Sequence, residues 1–256
     1  MKGLLRIPLI FFSLLLITST ALAQHYTGKV EKKDGRVYID GLPLFTDENL
    51  EDFKQLPKLT LPENAKTRNL PVVADNSNLP YFRPIFDQVA LECGQASGVG
   101  YTFTYEINRL RDLPANIIEN QYPTHFVYNW SGNGGGSASS YFDSWDIIKY
   151  AGTPNVLEYG GSLSYGGSAR WINGYDVYYS AMHNRIWDFY SIDVTTEEGL
   201  LTLKHWIANH LNGEATGGVG NIYASVVSAN NTLPSGTPEA GKHVVLELST
   251  YSNHAL

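Results

Sequence analysis

Phe86-Asp87-Gln88-Val89-Ala90-Leu91-Glu92-Cys93-Gly94-Gln95-Ala96-Ser97 is the stretch on which the reading of this chain turns. Cys93 is the only cysteine among 256 residues, and it stands directly before the longest helical pattern in the sequence. From about Gly94 to Arg111, the residues Ala96, Gly100, Phe103, Ile107 and Leu110 recur at helical spacing and outline one apolar face. Gly98 and Gly100 weaken a helix relative to alanine, so their presence calls for another backbone packed close against them. Pro114 stops the pattern. A cysteine at a helix start meets free backbone N–H groups and the positive end of the dipole, and both favour a thiolate. Gln88, shortly upstream, can point its side-chain amide at the same spot, which would give an oxyanion two donors, that amide and the Cys93 backbone N–H. The alternative for a lone cysteine is a buried, inert thiol that packs like a small hydrophobe.

Working outward, a second helix is expected from Tyr141 to Tyr150, ending at Gly152 with Pro154 beyond it. A third starts at Thr195 or Thr196, where Thr195 and Glu198 have the spacing of a capping box. Leu200, Leu203, Ile207 and Leu211 are its expected buried face. Strand-like runs follow at Ile222–Val227 and His243–Leu248, separated by the loop Pro234–Gly241. Helices first and strands later indicate an α+β domain. The Tyr- and Gly-rich stretch Glu158–Trp187 carries no regular pattern. Upstream, residues 24–78 are polar and proline-punctuated, with a hairpin expected from Val30 to Leu44 around Asp34-Gly35 and a brief acidic helix over Asp47–Phe53. The chain therefore divides into an export signal at 1–23, a leader or extension at 24–78 and a main domain at 79–256.

Several segments of that domain resemble the papain-like cysteine peptidases, and they occur in the family's order. Asp87-Gln88 followed by Cys93 resembles the segment leading to the nucleophile, and Ser97 falls four residues after the cysteine, as in the family. Tyr122–Asn129 resembles the opening of the next helix, and Phe142–Tyr159 resembles a later helix and turn. Asn133-Gly134-Gly135 matches a strip whose backbone binds substrate peptide, and Asn253-His254-Ala255 matches the motif at the catalytic histidine. The resemblance implies a two-lobed α+β fold, with an active-site helix in the first lobe and a β-rich second lobe. It implies Cys93 as nucleophile, His254 as its base, Gln88 as oxyanion donor, and Gly134 and Gly135 as the substrate-binding strip. It also implies that the family's pattern continues past Leu256, into a strand and an Asn or Asp that orients the imidazole. The substrate would be a peptide or protein, with no metal and no organic cofactor. A second alignment puts Ala96 where the thiol belongs and implies an inactive domain that binds peptide or protein.

Other features exclude classes. Lys2, Arg6, the apolar run Ile7–Ile17 and Ala21-Leu22-Ala23 have the order of a cleavable secretory signal, cut near Ala23, which implies a secreted, periplasmic or cell-surface protein. Losing Lys2 and Arg6 with it takes the net charge from −7 to −9, a surface that repels phosphate backbones and argues against a nucleic-acid partner. No later segment has the pattern of a membrane span. His205 and His210 are five apart on one helix and point to different faces, unlike a zinc pair. The glycines around 132–136 lack the Lys and Ser/Thr of a phosphate loop, and no Gly-x-Ser-x-Gly elbow occurs. The Tyr and Trp residues between 159 and 187 read as packing or as a carbohydrate-binding surface.

Overall fold

The computed structural model describes residues 30–33, 36–39, 42–43, 51, 54–86, 92–131, 141–159, 171–223 and 245–250. At Cys93, at 141–143 and 222–223, and in the strands of 30–43 and 245–250, it describes the backbone alone. Three short strands form the upstream meander: β1 (Val30–Lys33), β2 (Arg36–Ile39) and β3 (Leu42–Pro43). Val30 pairs antiparallel with Ile39 and Lys33 with Arg36, the pairing expected of this segment, while Asp34-Gly35 lies outside the described residues. The acidic helix expected over Asp47–Phe53 lies largely outside the described residues.

The centre of the domain is a continuous helical run that begins at Cys93. It comprises α1 (Cys93–Gln95), a wider-wound π segment (Ala96–Phe103) and α2 (Thr104–Arg111). Its existence and end match the periodicity, and Asp112 closes it in the left-handed region at φ 52°. The burial differs from the one-faced expectation: Val99, Phe103, Thr104, Tyr105, Glu106, Ile107 and Asn108 are all buried, as in a helix enclosed on every side. The glycines face side chains rather than a backbone. A Cβ on Gly98 would lie 3.1 Å from Trp145 Nε1, and one on Gly100 would lie 2.7 Å from Phe86 Cζ. These two intruding rings accompany the local widening, where Thr104 N–H reaches back to the Val99 carbonyl.

Around this run pack α3 (Thr124–Ser131), α4 (Tyr141–Ala151) and the short α5 (Val156–Tyr159). Val99, Phe103 and Ile107 meet Phe126, Val127, Trp145, Ile148 and Tyr159 in one core. The end of α4 falls where expected, with Gly152 at φ 77° pressed against the Ala181 carbonyl. Within the stretch read as irregular, α6 (Tyr175–His183) forms, and β4 (Asp188–Asp193) follows it. β4 pairs antiparallel with β6 (Val245–Thr250), which pairs on its other side with β5 (Asn221–Tyr223), giving the order β4-β6-β5. Phe189 and Ile192 project from opposite faces of β4. Phe189 enters the first core, and Ile192 enters a second one with Leu61, Ala65, Trp206 and Leu211.

That second core is sealed by chain from the upstream segment. Leu59 N–H donates to the Ser191 carbonyl at 2.9 Å, and Ser191 N–H donates to Pro57 at 3.0 Å, laying this segment alongside β4. Arg68 Nη1 donates to the Leu211 carbonyl, and Asn76 Nδ2 donates to the carbonyls of Ile207 and Gly218.

The last helix, α7 (Glu197–Asn209), is capped by Thr196, whose hydroxyl accepts from Gly199 N–H at 3.0 Å. The expected capping box at Thr195–Glu198 is therefore replaced. The third helical position is a glycine with no carboxylate to return the bond, and the Thr195 hydroxyl is taken by Asp193. The buried face is also rotated: Gly199, Thr202, His205 and Trp206 turn inward, while Leu200 and Leu201 are exposed.

Candidate active site

The site is built at the start of the central run. Glu92 precedes it, and the Glu92 carbonyl accepts the Ala96 N–H at 2.8 Å, the first bond of the helix. The Glu92 side chain is fully buried, and one carboxylate oxygen accepts the Thr124 hydroxyl at 3.0 Å. The N-terminus of α3 is thereby tied to the residue immediately before Cys93. Gln95 is also fully buried, Ala96 is buried, and the Ser97 hydroxyl turns back to the Gly94 carbonyl at 3.3 Å. Behind the first turns, Trp145 on α4 fills the space that Gly98 leaves.

Cys93 is thus the first residue of the helical run, as the sequence analysis expected. Gln88, Gly134, Gly135 and His254 lie outside the described residues. The described histidines divide by environment. His125, next to Thr124, is a core residue whose ring packs 5.1 Å from that of Tyr159. His183 holds the Tyr179 carbonyl through Nδ1 on its own helix. Burial holds the His205 imidazole below its ordinary pKa, with Arg68 nearby acting in the same direction. His210 Nε2 lies 2.9 Å from Glu106 Oε2, and its Nδ1 lies 2.9 Å from the Thr216 carbonyl.

Glu106 is a hub that the sequence did not reveal. Buried in α2, it accepts from Val219 N–H at 3.0 Å and from Arg109 Nε at 3.2 Å, besides its contact with His210. Arg109 in turn reaches Glu214 at 2.6 Å, and the Tyr105 hydroxyl donates to the Gly217 carbonyl at 2.6 Å. The helix that begins at Cys93 therefore also pins the loop between α7 and β5. Burial raises the Tyr105 phenol, and it pushes Tyr122 up to about 12.

Among the described residues, no group of three or more His, Cys, Asp or Glu side chains is placed to hold a metal ion. No helix among them is long and apolar enough to cross a membrane.

No protein-family model matches the chain, and no curated protein matches it either. Among solved structures it is similar to xylellain, a cysteine protease from Xylella fastidiosa. The identity is 14%, over 77% of this chain and 73% of that one, with a TM-score of 0.45.

Proposed function

We propose that this chain is an exported cysteine-type peptidase with a papain-like, two-lobed α+β fold. The observation that carries the proposal is the position of its one cysteine, at the first residue of a helical run that passes through the buried centre of the domain. A thiolate there gains from the helix dipole and from backbone N–H groups without intrahelical partners. The two separate cores on either face of β4 support the two-lobed reading. The ordered matches at Asp87-Gln88, Asn133-Gly134-Gly135 and Asn253-His254-Ala255 support the choice of partners.

In this reading the Cys93 thiolate attacks the scissile carbonyl, and the oxygen of the tetrahedral intermediate is met by Gln88 and the Cys93 N–H. The His254 imidazolium gives its proton to the leaving amine, and the neutral ring then takes one from the water that releases the acyl group. Gly134 and Gly135 pair with the substrate backbone. Residues 1–23 act as a secretory signal removed near Ala23.

The test is cleavage of fluorogenic peptides by the unaltered protein and by Cys93→Ala. Cleavage that is abolished in Cys93→Ala, with an unchanged thermal melt, is the expected result. Cleavage that survives the substitution refutes the proposal. Peptide binding without cleavage in the unaltered protein would point instead to the inactive binding domain.

A further inference from the structure

Two ionisable side chains are buried on the approach to Cys93. Arg83 is 3% exposed and Glu92 is 0% exposed, values at which such residues need a reason. The Arg83 guanidinium lies 4.1 Å from the centroid of the Phe86 ring. It donates through Nη2 to Gln121 Oε1 at 3.0 Å and through Nη1 to the Gly100 carbonyl at 3.4 Å. Its Nε has no partner among the described residues, and none of their carboxylates pairs with it. Burial brings its pKa down to about 10, which leaves it a cation at neutral pH.

The site therefore bears the desolvation of a cation to hold one aromatic ring and one helix carbonyl. The ring in question is the one wedged against Gly100, and it also stacks on Tyr101 at 5.2 Å. Arg83 thus grips both the Phe86 ring and the carbonyl of Gly100, the residue of the Cys93 helix on which that ring is wedged. The second tie is at Glu92. Its carbonyl opens the helix, and its carboxylate is bound by the Thr124 hydroxyl of α3. One tie acts at the helix start and the other within the π segment, so together they fix the rotation of the helix about its axis. That rotation sets the direction in which its first residue points.

We propose that Arg83 and Glu92 are positioning residues for Cys93, holding the helix in the register from which the thiolate attacks. The proposal rests on the cysteine-peptidase reading and adds to it the residues that aim the nucleophile. Apolar packing alone would let the helix start rotate or slide slightly, whereas directional bonds from buried polar groups hold one geometry.

The experiment compares the unaltered protein with Thr124→Val, Arg83→Met and Arg83→Lys. Thr124→Val is nearly isosteric, removes the hydroxyl bound to Glu92 and leaves Glu92 in place. For each protein the readouts are kcat and KM on a fluorogenic peptide, the iodoacetamide alkylation rate of Cys93 against pH, and the thermal melt. Thr124→Val and Arg83→Met should lower kcat by about 10-fold or more with KM little changed, since small displacements of reacting groups cost up to about 100-fold. The alkylation profile should move with kcat, and Arg83→Lys should recover part of the loss. If both variants lower the melting temperature but leave kcat and the alkylation profile of the folded fraction unchanged, the two residues serve packing alone and the proposal is overturned. If Arg83→Met does not fold, Thr124→Val decides on its own. Absence of peptide cleavage by the unaltered protein refutes the peptidase reading only. The alkylation profile then still judges the positioning role, because it senses Cys93 without turnover.

Discussion

Replacing Glu106 by glutamine tests a buried carboxyl group that meets three partners. The carboxylate is 1% exposed, with Val219 N–H at 3.0 Å on one oxygen. The other oxygen meets Arg109 Nε at 3.2 Å and His210 Nε2 at 2.9 Å. Glutamine keeps the shape but has only one accepting oxygen, and its amide N–H groups must face donors on the other side. If the oxygen turns toward Arg109 and His210, the Val219 bond is lost and an amide N–H opposes the backbone N–H. If it turns toward Val219, the Arg109 guanidinium loses its bond to this side chain. Bonds to charged groups are worth about 1.5–3 kcal/mol, and a buried group left unmatched adds to the loss, so the total is about 2–4 kcal/mol. At about 2–4 °C per kcal/mol for a domain of this size, the melting temperature should fall by roughly 4–16 °C. Hydrogen exchange at the Val219 amide should accelerate more than exchange in the Phe103–Ile107 stretch, because the loop loosens before the core does. An unchanged melt together with unchanged protection at Val219 would refute the idea that Glu106 holds this loop.

Two further outcomes follow from the same contacts. His205 titrates below its ordinary value of 6.5 because of burial, so the unfolded chain binds its proton more readily. Its contribution to stability is complete above that value and declines as pH falls below it. A His205→Phe variant measured by denaturant titration should therefore show a shallower acid limb, and an identical limb would count against the assignment. Deleting residues 24–54 leaves the contacts of Pro57, Leu59, Arg68 and Asn76 in place, and such a protein should melt cooperatively. Deleting residues 24–78 strips Leu61 and Ala65 from the second core and should abolish the cooperative transition. A cooperative melt from the longer deletion would show that the whole upstream segment is a removable leader.

What could be read from the sequence was what local chemistry decides. The antiparallel pairing of β1 with β2, the end of α4 at Gly152 and the start of α7 within a residue of Thr196 all followed from turn and cap residues. α6 and β4 did not stand out. The first is crowded with tyrosines of middling helix propensity, and the second is a six-residue strand whose two faces serve different cores. The rotated face of α7 depends on Trp206, whose indole N–H reaches the Val219 carbonyl, a distant partner that no periodicity reveals. The π winding likewise depends on Trp145 and Phe86, rings supplied from other parts of the chain. At the site, the helix start at Cys93 was legible because a single cysteine before a long apolar pattern is a local signal. Arg83 and Glu92 left a fainter trace, as lone charges within aromatic and apolar runs. Glu106 and His210 are 104 residues apart and left none.

An activated nucleophile at Cys93 would ionise well below the range of a free thiol. Because the chain has one cysteine, the iodoacetamide alkylation rate of the folded protein, followed by mass against pH, reports on that residue alone. The rate should stay substantial near pH ~6–7, well below the value of about 8.5 at which a free thiol ionises. A rate that rises only near pH ~8.5, or labelling that requires denaturant, would contradict that activation.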